Sequence, residues 1–479
     1  MWLSTIIAVL LCASLSNALT CNLSSDLVKE IRSYQQTVDQ IINATTQGLF
    51  KGKTYDELAY FVDKFGARQA GSQVLEDSID YLLDLMQKEG YDLENVHGEN
   101  VTIPHWIRGT QTCEMLSPRR TNIPVLTLGG SVSTIANGVE AEAIVVKDFD
   151  ELDRVSEKVK GKIVVYNNEY ITYGVSVAYR SQGPSKAAKY GAIATLIRSV
   201  TPFSLNTLHT GQTGYDNSVT KIAAASITRE HAHMFQRMQD RGDKIVLKLN
   251  IQTQNLDPVT SRNVVAEIKG SRDPEKVVLV SGHIDSWDVG VGAMDDGGGA
   301  FISWYSLRVL KALGLKPKRT VRSVLWTAEE PGLIGVQAYD KAHKDELDKF
   351  IFVMESDEGT FTPLGLEYVA GDEGGCILEE VMKLLAPINA TQANIVDYAG
   401  SDITIWRNIL PTASLLNRNE NYFWYHHSEA DTMDVLDPAA LDKATALWAS
   451  VAYVLADLNK DFPRQVPKLN VVLPSVLKV

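Results

Sequence analysis

One stretch constrains this chain more than any other: Val277-Val-Leu-Val-Ser-Gly-His-Ile-Asp-Ser-Trp-Asp-Val-Gly-Val-Gly-Ala-Met-Asp-Asp-Gly-Gly-Gly299. The aliphatic run Val277 to Val280 reads as a short strand buried on both faces. Such a strand delivers His283 and Asp285 to its C-terminal edge, where open α/β sheets place their ligands. A Gly-rich turn with Asp295 and Asp296 follows, and an apolar segment from Ala300 reads as a helix. An imidazole on the lip of a strand and a carboxylate at a helix entrance suit metal binding. The plainer alternative is that Asp296 and the glycines only start a helix, with His283 a satisfied loop histidine. The residues downstream favour the metal.

A length of 479 residues predicts two or three units. With 45 % hydrophobic and 22 % charged residues, a large core is feasible. The formal charge of −13 leaves no basic surplus to neutralise phosphates, which argues against nucleic-acid binding. Met1 to Ala18 carry no charge, and Ser16-Asn-Ala18 offers a small-x-small cleavage pattern, so residues 1–18 read as a secretory signal. Its apolar run is too short to span a bilayer, and no other segment qualifies, so no membrane span is expected. Sequons at Asn22, Asn43, Asn100 and Asn389 support the secretory route as glycosylation sites. Cys21, Cys113 and Cys376 remain after cleavage. That is no disulfide framework, and an odd number leaves at least one thiol free or intermolecular.

Along the chain, Asp26 to Gly48 has helical spacing. Leu75, Ile79, Leu82 and Met86 mark a clearer helix, closed by Gly90. Phe65 to Ser72 is a loop, and short strands are expected near Asn95 to Ile107. From about Ala141 to Leu249 the chain has its own strand-helix pattern, with strands at Ala143–Val146, Lys162–Tyr166, Ala192–Ile197 and Ile245–Leu249. Such a block can fold as a small α/β unit inserted into a larger one. It carries His209, and also His231 and His233, which point to different faces of one predicted helix and read as surface residues. Asn263 to Ile268 resumes the main sheet, followed by strands at Arg319 to Ala328 and Phe350 to Met354. A helix is expected over Ala439 to Leu458, and a poorly organised tail from Phe462. Strands alternating with helices predict an α/β fold, doubly wound, with a mainly parallel sheet and helices on both faces. The expected domains are 19–120 and 251–479 as two parts of one catalytic unit, and 121–250 as the insert.

Every strand end after Val280 carries acidic or imidazole groups. Val324-Leu-Trp-Thr-Ala-Glu-Glu330 ends on adjacent carboxylates, and Val353-Met-Glu-Ser-Asp357 does the same with Glu355 and Asp357. Tyr425-His-His-Ser-Glu-Ala-Asp-Thr432 adds imidazoles with a carboxylate beyond them. If the strands are parallel neighbours, these groups converge, and buried carboxylates without Lys or Arg among them repel unless cations intervene. Histidine and carboxylate ligands without thiolate suit zinc. Two such ions are held if Asp295 bridges, one ion taking His283 and Asp357 and the other Glu330 and His427. With a bridging hydroxide, the charges of two divalent ions and three carboxylates sum to about zero. Asp285 and Asp431 are then the groups that orient the imidazoles. Glu329, left over beside a ligand, is placed to take a proton from water and pass it to a leaving amine.

Gly282-His-Ile-Asp285, Gly292-Ala-Met-Asp-Asp296, Thr327-Ala-Glu-Glu330, Glu355-Ser-Asp357 and His427-Ser-Glu-Ala-Asp-Thr432 together resemble the motifs of the co-catalytic dizinc aminopeptidase family. The likeness covers nearly all the mature chain, and the inserted block is similar to that group's protease-associated domain. The resemblance implies a zinc exopeptidase fold, with His283, Asp295, Glu330, Asp357 and His427 as ligands of two zinc ions per chain and Glu329 as acid and base. It further implies a cis peptide between Asp295 and Asp296, hydrolysis of dipeptides with free termini, and a secreted or lysosomal homodimer. His426, just before a ligand, faces either the substrate or the core, and the substrate-facing position is favoured. Gly400-Ser-Asp402 is similar to a segment lining the family's site. Two other readings compete: a single-zinc transferase like glutaminyl cyclase, and a non-catalytic, receptor-type ectodomain. Receptor relatives lose ligands, whereas all five are present here. A dinucleotide site is disfavoured, because Gly297-Gly-Gly299 lacks the G-x-G-x-x-G spacing and two aspartates would repel a pyrophosphate.

Overall fold

The aliphatic run that opens the central stretch divides its side chains between two cores. Val278 and Val280 enter a cluster with the helices Gly298–Ala312 and Pro438–Asp457, while Val277 and Leu279 face Trp326, Tyr339 and Trp406 on the other side. All four are buried, as a strand covered on both faces requires. The computed structural model describes residues 21–467, so the expected leader at 1–18 lies outside the described residues.

The strands in chain order are β1 (Glu94–Ser117), β2 (Thr121–Asn122), β3 (Val125–Thr127), β4 (Val139–Val146), β5 (Ile163–Tyr166), β6 (Ala194–Arg198) and β7 (Ala223–Ile227). They continue with β8 (Val246–Ile268), β9 (Asp273–His283), β10 (Arg319–Trp326), β11 (Phe350–Glu355), β12 (Pro363–Val369), β13 (Gln392–Ile395) and β14 (Thr412–Asn417). In space they run β13-β12-β14-β11-β9-β10-β8, then β4-β5-β6-β7-β3, with β1 paired to β8. The centre, β10-β9-β11-β14, is parallel throughout, and β8 is antiparallel to β10. The block β4-β5-β6-β7 is parallel as well, sandwiched between the helices Ala178–Lys189 and Arg229–Asp240. The expected doubly wound α/β fold is what the chain adopts. We propose that 121–250 is a distinct folding unit, a division supported by the separate clusters on either face of its sheet.

The largest difference from the sequence reading is a ribbon. Separate strands are expected near 95–107, 245–249 and 263–268, but β1 and β8 pair continuously from Glu94↔Glu267 to Ser117↔Val246. The middle of β8, from Gln254 to Asp257, is exposed throughout, Leu256 included, so no buried face marks it as strand. Backbone pairing carries it across, with register shifts between Ile103 and His105 and between Ile107 and Thr110. The tail also departs from expectation. Phe462 is buried, its ring 4.8 Å from that of Phe352, and Arg464 donates to the Leu347 and Asp348 carbonyls. Cys21 is disulfide-bonded to Cys376, and Cys113 is the buried free thiol that the odd number requires. Asn22, Asn43, Asn100 and Asn389 are all exposed. His231 and His233 are half-buried, bound to Thr228 and Arg198 within the insert. Among the described residues no helix is long and apolar enough to cross a membrane.

Candidate metal centre

Parallel register brings the chemistry-bearing strand ends to one edge. Trp326 of β10 lies opposite His283 of β9, and Glu355 of β11 lies opposite both Ser281 and Ser414. The turn after β9 folds back so closely that a Cβ on Gly282 would sit 2.5 Å from the Ala300 nitrogen, and one on Gly299 would sit 1.9 Å from the Ser356 carbonyl. Only glycine permits that approach. Asp296 locks it, accepting from the His283 amide at 3.0 Å and the Gly299 amide at 3.1 Å. Asp296 is thus the helix-starting residue of the plainer reading, while its neighbour Asp295 faces the cavity. The peptide between them is cis, as the resemblance implies.

Asp295 stands between the two imidazoles. Its Oδ1 lies 3.3 Å from His283 Nε2, and its Oδ2 lies 3.3 Å from His427 Nε2. His283 Nε2 is also 3.3 Å from Asp357 Oδ1, and His427 Nε2 is 3.0 Å from Glu330 Oε2. The five expected ligands therefore form one cluster with Asp295 at its middle. Glu329 flanks it, its Oε2 at 4.0 Å from His283 Nε2 and its Oε1 accepting from Ser401 Oγ at 2.7 Å.

The donor set fits cations. His427 Nδ1 faces the Thr210 carbonyl at 3.3 Å, and a carbonyl can only accept, so Nδ1 carries the proton. Burial and the neighbouring His426 hold this imidazole well below its ordinary pKa, so it is neutral. Its Nε2 lone pair then points at two carboxylates. Asp295 Oδ2 and Glu330 Oε1 are buried with no hydrogen-bond donor. A lone pair against an ionised carboxylate oxygen is repulsive unless a proton or a metal cation lies between them. Burial, then the charge of Asp295, pushes Glu330 well above the usual carboxylate range. Burial is also the main reason that Glu329 is pushed up to about 8. For Asp295, burial acts upward, but hydrogen bonding to His283 and the nearby imidazoles bring it below its ordinary value.

The supporting groups differ from expectation in part. Asp285 meets His283 through its backbone carbonyl, 2.9 Å from Nδ1, and its carboxylate Oδ1 lies 3.6 Å from the same nitrogen. That carboxylate also accepts the amides of Glu329 at 3.0 Å and Glu330 at 3.3 Å. Asp431 orients no imidazole. It accepts the amides of Met294 at 2.7 Å and Asp295 at 3.2 Å, fixing the backbone of the bridging residue. The group facing His427 Nδ1 is Thr210, from the insert and 217 positions away, where no local spacing announces it. His426 is buried, its ring stacked 3.6 Å from that of His427 and its Nε2 3.5 Å from Asp295 Oδ2. Arg68 also lies beside the carboxylates, contrary to the expectation of no cation there. It is fully buried, and its guanidinium donates to the carbonyls of Ile284, Val291 and Gly292.

A family model for peptidase family M28 matches residues 263–452. Carboxypeptidase Q from Xenopus laevis is 47 % identical over 458 residues, covering 95 % of this chain and 97 % of that relative. The chain belongs to peptidase family M28. Carboxypeptidase Q from Homo sapiens is 47 % identical over 94 % of either chain. The crystal structure of a peptidase M28 precursor from Shewanella amazonensis superposes with a TM-score of 0.85 at 31 % identity, covering 91 % of this chain and 100 % of that one. A zinc aminopeptidase from Bacillus subtilis shares the fold, with a TM-score of 0.65 at 20 % identity over 88 % of this chain and 98 % of its own. As an M28 member the protein is a hydrolase and a metallopeptidase, so the ectodomain reading falls away.

Proposed function

We propose that this M28 peptidase is a secreted exopeptidase with two zinc ions, hydrolysing dipeptides or short peptides with free termini. The observation that carries the reading is the placement of Asp295, one carboxylate oxygen toward each imidazole. In this reading His283 and Asp357 hold one ion, Glu330 and His427 hold the other, and Asp295 is shared. Zinc bound there supplies a polarised scissile carbonyl, an activated water and a counter-charge for the oxyanion.

The protein's own part is proton traffic and order. Glu329 accepts the proton of the attacking water and returns it to the departing amine. Ser401 Oγ donates to one Glu329 oxygen and so turns the other toward the cavity. Asp285 grips the amides of Glu329 and Glu330, which holds base and ligand in fixed relation. Asp431 does the same for the Asp295 backbone. His426, against Asp295 and the aromatic ring of Tyr173, is assigned to the substrate side of the pocket. The exposed sequons support passage through the secretory route, to the exterior or a lysosome. A homodimer is part of the same proposal and rests on the family likeness.

A panel of dipeptides and tripeptides, with and without chelator and added zinc, tests this. The reading requires zinc-dependent cleavage of free-terminus dipeptides. Activity that survives full chelation would overturn it. The single-zinc alternative predicts about one ion per chain where this reading predicts about two.

A further inference from the structure

The segment carrying His426 and His427 is held by the insert. The Thr210 amide donates to the His427 carbonyl at 2.9 Å, the Thr210 carbonyl faces His427 Nδ1 at 3.3 Å, and His209 Nδ1 lies 2.7 Å from the His426 carbonyl. Thr210 is held through its hydroxyl, which donates to the Thr127 carbonyl at 3.1 Å and accepts from Arg108 Nη2 at 3.3 Å, while its carbonyl is held by Arg180, from the helix Ala178–Lys189. Its Nη1 donates to the Thr210 carbonyl at 3.0 Å and its Nη2 to the Tyr173 hydroxyl at 2.8 Å. The guanidinium lies against Gly211, where a Cβ would come within 2.2 Å of its carbon.

Arg180 is buried, and among the described residues no carboxylate forms an ion pair with it. A buried guanidinium without a carboxylate is costly, and here its fork serves hydrogen bonds that end at the site. The Thr210 carbonyl has two lone pairs, one for Arg180 and one for the imidazole. Tyr173, the other anchor, sets its ring edge-on to His426 at 4.9 Å. His283 is oriented separately, through the Asp285 carbonyl.

We propose that the Arg180 fork is a positioning element for His427, acting through the Thr210 carbonyl, so that the insert sets the affinity of one of the two ions. This rests on the reading of His427 as a ligand. Imidazole partners of this kind fix the ring's tautomer and direction, and losing one weakens metal binding roughly 10- to 100-fold.

The test is zinc affinity by chelator competition on the full chain, with thermal unfolding to confirm the fold. Arg180→Lys keeps the charge but not the fork. It is expected to weaken one zinc equivalent by roughly 10- to 100-fold and leave the other unchanged. Tyr173→Phe, which frees one prong, shifts the same equivalent in the same direction by less. Native affinity for both equivalents in Arg180→Lys overturns the proposal, as does equal weakening of both. If Arg180→Lys does not fold, unchanged affinity in Tyr173→Phe overturns it and selective weakening supports it. His427→Ala separates the two layers: if that variant keeps both equivalents, the ligand assignment itself is what fails.

Discussion

At the residue scale the site depends on Asp295 and on what surrounds Glu329. Glu329 sits 4.0 Å from His283 Nε2 and is hydrogen-bonded by Ser401, yet it is not needed to complete the ligand set. Glu329→Gln is isosteric, so zinc should remain bound while kcat falls by about 10²- to 10⁴-fold, the usual weight of a positioned base. Steady-state kinetics with metal analysis on the same sample checks this, and near-normal turnover contradicts the role. His283, Glu330 and Asp357 were legible because each follows an aliphatic run near the end of a strand, and Asp295 because it sits in the Gly-rich turn. His427 was legible because an imidazole pair has a carboxylate beyond it, although it follows the short helix Tyr422–Tyr425. Thr210 and Arg68 were not, because a backbone carbonyl and donors aimed at carbonyls leave no spacing pattern. Ser401 was marked only by the likeness of Gly400-Ser-Asp402 to a segment lining the family's site, with no role attached. Asp431 carries the same lesson in reverse. Four positions after His427 it invites pairing with the imidazole, but the chain turns and it binds amides of the Asp295 turn instead.

At the scale of elements, β1 is tied to the helix Ile334–Ala342 by a small charged network. His343 Nε2 lies 3.0 Å from Glu99, its Nδ1 3.1 Å from Glu346, and His97 Nε2 is 3.4 Å from Glu99. Hydrogen bonding to Glu99 raises both histidines above their ordinary pKa. Burial pushes Glu99 upward, but the two imidazoles outweigh it and bring it down to about 2. A depressed carboxylate stabilises above its unfolded pKa, and a raised histidine stabilises until pH climbs through its folded pKa. The network is therefore strongest from above about pH 4.5 to somewhat beyond pH 6.5. Glu99→Gln should lower thermal stability in that window by about 1 kcal/mol or less, because the groups are partly solvated, and by less in alkali. A larger loss in alkali than near pH 5.5 contradicts this. The elements themselves were legible where one face is buried. The β1/β8 ribbon was not, since the exposed middle of β8 has no buried face to mark it as strand.

At the scale of the molecule, the fold concentrates negative charge that it cannot hold dry. Burial pushes Glu329 up to about 8, and Glu355 and Asp431 up to about 7, each further raised by neighbouring carboxylates. A carboxyl group whose folded pKa is raised costs stability as pH climbs from its unfolded value of about 4 toward the folded one. Chelated protein should therefore lose stability between about pH 5 and pH 8, while zinc-loaded protein does not. Thermal unfolding with and without chelator should show a gap that widens with pH. A gap that is constant, or wider at pH 5, contradicts the account.

The central claim is that Asp295 is shared by two cations, and anomalous diffraction at the zinc edge addresses it most directly. The account predicts two peaks on either side of the Asp295 carboxylate, about 3.5–4 Å apart, one beside His283 and Asp357 and the other beside Glu330 and His427. A single peak, or peaks away from Asp295, would contradict it.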